Sequence, residues 1–274
     1  MTTANCLMTG SYTWFNPRLM SVSFGPDVYD VRQALISDGF KHESFAHNVG
    51  LIILASPVPD SVATPVKIYS GSLATSTHVV AAGFGLTGRS TNPYPTRPHV
   101  APLSIMDHRN CSAFAGFDSS TQLCVEGASG ADLCMGDEGA PLLVTGSEEH
   151  SVALLGVASY ITKSASSSGS RLVMCGGNGN VAYFEMSRSW AQWISKVAHV
   201  TYNDIIISLN ITTDSDKHHA GNSSLYSQSM SDASDGVAEG PLSVSESVLE
   251  SGGGKLVSLA LDAAFAAIVF AAIL

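Results

Sequence analysis

Between residue 11 and about residue 200, Gly, Pro, Ser and Asn cut the chain into short apolar runs. "VGLIILASPVP", "HVVAAGFG", "APLLVTG" and "VALLGVASYI" are each of strand length and bounded by turn residues. That pattern predicts an all-β domain, a sandwich or a barrel. One segment has helical spacing instead. In "SRSWAQWISKVAHV" (187–200), Trp190, Trp193, Ile194 and Val197 fall on one face, and Ser187 is placed to act as the N-cap.

At 274 residues the chain can hold one or two compact domains. Its net charge of −10 is unevenly spread, with −3 over residues 1–200 and −7 over residues 201–254. The first part is a nearly balanced globular domain and the acidity belongs to a tail. No basic stripe is present to neutralise phosphates, so a nucleic-acid partner is excluded.

Residues 205–254 hold fourteen Ser or Thr among scattered acids and glycines. Such a stretch buries too little apolar surface to offset its ordering entropy, and it reads as a disordered stalk. The last nineteen residues, "LVSLALDAAFAAIVFAAIL", are apolar apart from Ser258 and Asp262. A spanning helix would carry Asp262 into the bilayer at about 2.5–3.5 kcal/mol. The alternative takes Ser251 and Gly252 of "SGG" (251–253) as small attachment-site residues, "GKLVSLALD" (254–262) as spacer and the final twelve residues of the 255–274 tail as the hydrophobic end of a GPI-attachment signal. That pattern is preferred, with a tail anchor as the second reading.

The five cysteines are Cys6, Cys111, Cys124, Cys134 and Cys175. None forms a C-x-x-C pair, so no metal and no redox cofactor is expected. Asn110, Asn210 and Asn222 each head an N-x-S/T acceptor for glycosylation. Together with the cysteines and the tail they favour the secretory pathway and a cell-surface location. Gly83, Gly85 and Gly88 have G-x-G-x-x-G spacing, but Pro93, Pro95 and Pro98 follow. A dinucleotide loop needs a helix there, and these prolines exclude one.

Six segments in order carry a resemblance. "TTANCL" (2–7) is similar to T-A-A-H-C, and "AHNVGLIIL" (46–54) to N-D-I-A-L-L-x-L. "AAGFGLT" is similar to G-W-G-x-T, and "DLCMGDEGAPLLV" (132–144) to D-x-C-x-G-D-S-G-G-P-L. "LLGVASYI" (154–161) resembles the strand ending in S-W-G. "VAYFEMSRSWAQWI" (181–194) resembles the strand leading into the terminal helix. The chain thus resembles the trypsin/chymotrypsin-like serine proteases over residues 1–204. The resemblance implies two antiparallel Greek-key β-barrels with the site between them and a C-terminal helix. It also implies disulfides Cys111–Cys124 and Cys134–Cys175, and leaves Cys6 needing a partner upstream of Met1. The first barrel is expected to be incomplete, its opening strands belonging to a longer natural chain.

At the positions of the catalytic triad, the resemblance places Asn5 for the imidazole, Asn48 for the orienting carboxylate and Glu138 for the nucleophilic hydroxyl. An amide has no usable basicity near neutral pH, so general-base catalysis is lost. His47 is no substitute if it lies on a strand, because it would point to the opposite face from Asn48. The oxyanion-hole donors correspond to the N–H groups of Gly136 and Glu138, and the Glu138 carboxylate is expected to fold back and fill that space. The resemblance places Asp132 where trypsin-like enzymes keep the acid of the specificity pocket, and Ile161 and Val181, in place of glycines, are expected to fill that pocket.

The expected function is that of a catalytically inactive homologue at the cell surface, acting on a protein partner as decoy, inhibitor or cofactor. Loops 86–100 and 162–172 are the candidate contact surfaces. The alternative is an active serine endopeptidase.

Overall fold

The computed structural model describes residues 1–211, apart from residues 12, 75–76, 88–94, 96, 112–115, 128–130, 149–150, 164–174 and 176–178. The stalk beyond residue 211, the hydrophobic tail, Asn222, Ser251 and Gly252 lie outside the described residues. So do most of the two candidate contact loops.

Three strands form the first sheet: β1 (Ser21–Phe24), β2 (Asp27–Ile36) and β3 (Gly50–Leu54), in that order and antiparallel. A two-residue turn joins β1 to β2, and Gly25 adopts φ 60° there, a conformation that suits glycine. Leu7, Met20, Val22 and Val31 make this half's core. The N-terminal segment docks beside β3 by reciprocal backbone bonds between Thr2 and Gly50. A single 3-10 turn follows at Asn5–Leu7.

The second half is a closed six-stranded antiparallel barrel. It comprises β5 (His78–Gly83), β6 (His99–Ile105), β7 (Gln122–Gly127), β8 (Pro141–Thr145), β9 (Val152–Lys163) and β10 (Asn180–Met186). The order is β10-β7-β6-β5-β8-β9, and β9 pairs back onto β10 to close it. Ala81, Leu103, Val125, Leu142, Leu155 and Phe184, one from each strand, fill the interior. The strand-length apolar runs of the sequence supply this inward face. The short strand β4 (Ile68–Tyr69) pairs parallel to β9.

A one-turn helix α1 (His108–Cys111) precedes β7, and the longer helix α2 (Ser187–Ala198) buries Ala191 and Ile194, with Trp190, Trp193 and Val197 packing beside them against Leu51 and Ile68. Burying a side chain such as Ile194 contributes about 2 kcal/mol. The cap differs from expectation. Met186 is the N-cap and no side chain caps the helix, while Ser187 is its first residue with a buried, unpartnered hydroxyl. The helix begins directly at the end of β10, so position 187 already has helical backbone. The domain also runs further than residue 204. After α3 (Tyr202–Ile205), strand β11 (Ile206–Ile207) pairs with β4, and Leu209 and Ile211 pack against the barrel core. The apolar "IIISLNI" run supplies that burial.

Candidate functional site

Docking of the N-terminal segment beside β3 brings Asn5 to Asn48. The Asn5 backbone N–H donates to Asn48 Oδ1 at 3.0 Å, and Asn48 Nδ2 donates to Asn5 Oδ1 at 2.9 Å. The same Asn48 amide donates to Ser159 Oγ at 2.9 Å. Asn48 is fully buried and Ser159 nearly so. No imidazole or carboxylate belongs to this set, and every one of its side chains is neutral.

Glu138 lies on the turn before β8, which meets the Thr2–Cys6 segment. There the Cys6 thiol donates to the Glu138 carbonyl at 3.4 Å. Gly136 and Gly139 hold φ of 92° and 84°, so the turn depends on glycine at both positions. The Glu138 side chain folds back over it, and Oε2 accepts the Gly136 N–H at 2.9 Å. One of the two backbone donors expected to face a reaction's developing negative charge is therefore occupied by the chain's own carboxylate. Cys6 is a free thiol, and burial followed by the nearby Glu138 charge pushes its pKa up, partly offset by the Thr3 hydroxyl. A thiol held protonated is a poor nucleophile.

Asp137 turns the other way. Its carboxylate accepts the Gly85 N–H at 2.7 Å and the Cys134 N–H at 2.9 Å. A Cβ at Gly83 or Gly85 would collide with that carboxylate. This is the physical reason for the paired glycines that resemble a nucleotide loop in the sequence. Asp132 accepts a hydrogen bond from the Asn180 side chain. Burial raises the pKa of both acids, the hydrogen bonds opposing it. Both acids line a cavity of about 200 Å³ that also reaches His99, and none of Asn5, Asn48 and Glu138 borders it.

Ile161 and Val181 do not fill one slot together. Ile161 is paired across the sheet with Ala182 and packs on the barrel interior. Val181, paired with Thr162, faces the opposite side among Tyr160, Tyr183 and the Cys111–Cys124 bridge. Directly paired residues share a face and successive residues alternate, so the two side chains point apart. Only Ile161 shares a face with Asn180, the partner of Asp132.

Cys111 is bonded to Cys124 and Cys134 to Cys175, with Cα–Cα separations of 5.7 and 5.2 Å. Asn110 and Asn210 are both exposed. His47 is not on a strand. It adopts φ 55° ahead of β3, and its ring meets Trp190 edge-on at 5.4 Å. It is therefore engaged away from Asn48, though not through strand alternation.

Sequence reasoning missed the group beneath the site. Glu185 on β10 is fully buried. Its Oε1 accepts the Asn48 backbone N–H at 3.0 Å and Gln122 Nε2 at 2.8 Å, and its Oε2 accepts Trp190 Nε1 at 3.1 Å. Burial raises its pKa to about 7 against these three bonds. The signal was present: one acid in the apolar run "NVAYFEM", every residue of which is buried. Among the described residues no cluster of His, Cys, Asp and Glu could hold a metal, and no helix is long and apolar enough to cross a membrane.

A closed barrel, a partial partner sheet, a terminal helix and two bridges define the class, a trypsin-fold β protein. Residues 1–174 match the family model described as Trypsin, and the chain belongs to that family. It is 26% identical over 152 residues to beta-fibrinogenase brevinase of Gloydius blomhoffii, covering 53% of this chain and 65% of that protein. It is 31% identical over 105 residues to kallikrein-12 of Homo sapiens, covering 38% and 42%. The chain thus spans less than two thirds of the length of either relative. Among solved structures it is similar to neuropsin, a serine protease expressed in the limbic system of mouse brain. That match has a TM-score of 0.55 at 20% identity, covers 72% of this chain and 83% of the other, and speaks to fold alone.

Proposed function

We propose that this chain is a catalytically inactive member of the trypsin family, carried through the secretory pathway to the cell surface, where it acts by binding a protein partner. The observation that carries the reading is the Asn5–Asn48 amide pair, hydrogen-bonded where the family's chemistry requires an imidazole and a carboxylate. An amide can neither take a proton from a nucleophile nor stabilise an imidazolium. The Glu138 carboxylate on Gly136 N–H supports it further, because it occupies a donor that catalysis needs free. The disulfides favour an oxidising compartment, and the apolar C-terminal residues favour membrane attachment, by a GPI anchor at Ser251 or Gly252 in preference to a tail anchor.

The test is incubation of the folded protein with a fluorophosphonate probe, beside an active trypsin-family enzyme. We expect no labelling. Covalent labelling of any serine would establish the competing reading, an active serine endopeptidase. Release from the cell surface by phosphatidylinositol-specific phospholipase C separates the two modes of attachment.

A further inference from the structure

Phe45 and His47 hold φ of 51° and 55°, a left-handed region that side chains other than glycine seldom adopt. Two such residues, five and three positions before the start of β3, need outside restraint. Ser37 Oγ donates to the His47 carbonyl, and the His47 ring rests on Trp190. Gln122 Nε2 donates to the Phe45 carbonyl at 3.3 Å and to Glu185 at 2.8 Å. Asn48 N–H donates to Glu185 as well. Apart from Ser37, each of these tethers ends on Glu185 or on a side chain that donates to it, while the Asn48 side chain is held in addition by Asn5 and Ser159 and the Phe45 ring packs on Tyr160. The groups that close on this carboxylate come from the 45–48 segment, from β7 and from α2.

We propose that Glu185 is a proton-operated latch on the Phe45–Asn48 segment. Its neutral carboxyl keeps the segment seated, and its ionisation loosens the segment and the Asn48 side chain with it.

The direction follows from hydration. In the seated state the carboxyl is shut away from water, which penalises its charged form more than the three donors reward it, and its pKa is about 7. Displacing the segment admits water and returns the group toward its ordinary value of 4.5. Protons therefore favour the seated state. Opening rises by at most about tenfold per pH unit between those values and levels off above the higher one. Around the latch, Asp118 beside Gln122 adds like charge that disfavours ionisation. His47 from the segment is attractive to Asp118. Tyr160 from β9 and Tyr183 from β10 have phenols held protonated, chiefly by burial. Left-handed strain at Phe45 and His47 biases the released segment away from its seat.

Amide hydrogen exchange on the folded protein at pH 5 and pH 7.5, corrected for intrinsic rates, tests this. Protection at Asn48 and Val49 is expected to fall by about tenfold or more over that interval. Protection at Leu142 and Val144 in β8 is expected to hold, and Glu185→Gln is expected to abolish the difference. Unchanged protection at Asn48, an equal fall in β8, or a pH response kept by Glu185→Gln would overturn the proposal. Should that variant fail to fold, carboxyl carbon NMR of the unsubstituted protein decides. A Glu185 midpoint near 7 supports the latch, and an ordinary midpoint between 4 and 5 sinks it.

Discussion

Asn48 and Asn5 are joined by two hydrogen bonds, the Asn5 N–H to Asn48 Oδ1 and Asn48 Nδ2 to Asn5 Oδ1. This pair ties the N-terminal segment to the loop before β3, and through Ser159 to the closed barrel. Asn48→Ala deletes all three bonds in a fully buried place and leaves the Asn5 N–H without that acceptor. An unsatisfied buried group costs about 1–3 kcal/mol, so we expect a loss of about 2–3 kcal/mol in urea unfolding. A loss below 0.5 kcal/mol would mean that the pair contributes nothing to the joint.

Restoring a hydroxyl alone does not restore chemistry. Glu138→Ser frees the Gly136 N–H and supplies the missing oxygen, yet the nearest triad position still carries the Asn5 amide. With no base to take its proton, that serine stays as unreactive as a surface serine. The variant is expected to remain unlabelled by fluorophosphonate. Glu138 is exposed, so stability should change by about 1 kcal/mol or less. Robust labelling would show that a base has been overlooked.

How much of this was legible beforehand differs by element. The barrel strands were, because the apolar runs that hold residues such as Leu142 and Leu155 are of strand length and are bounded by turn residues such as Gly and Pro. So were both bridges, and the motif segments that hold Asn5 and Asn48 are ones the fold brings into hydrogen-bond contact. The His47 backbone was not, since a left-handed φ at a non-glycine residue is imposed by tertiary tethers rather than by local propensity. The opposite facings of Ile161 and Val181 depend on strand register, which motif spacing does not report. Glu185 was visible as an acid among apolar neighbours, but its three donors come from residues 48, 122 and 190, and only folding brings them together.

Gly85 touches the Asp137 carboxylate through its N–H, and its missing side chain leaves the space that the carboxylate fills. Gly85→Ala drives a methyl into that group and displaces it from both backbone donors. Overpacking of this kind costs about 1–3 kcal/mol, with a further penalty for each buried partner left unmatched. A fall in melting temperature is expected, and Asp137→Asn in the same background should not add its full separate cost. Additive effects of the two changes would show that they act independently.

The Cys111–Cys124 bridge closes a loop with a sequence separation of 13 and borders the stacked pair Tyr160 and Tyr183. Loop-closure entropy for that length corresponds to about 3 kcal/mol. Replacing both cysteines with alanine should lower unfolding free energy by about that amount, read by urea denaturation under oxidising conditions. An unchanged midpoint would mean that the loop is already confined in the unfolded chain.

Glu185 makes stability depend on pH in the opposite sense from an ion-paired acid. Its folded pKa of about 7 exceeds the ordinary 4.5, so the folded protein binds its proton more tightly than the unfolded chain does. The stabilisation from this group is fully present below pH 4.5 and is lost as the pH rises toward 7. The loss amounts to about 3 kcal/mol at most. Glu185→Gln carries no titrating proton and is expected to lack this component. Unfolding free energies of both proteins at pH 5 and pH 7.5 give the contrast. The unsubstituted protein should lose more stability between them than the variant does. Parallel slopes would place the Glu185 carboxyl at an ordinary pKa despite its burial.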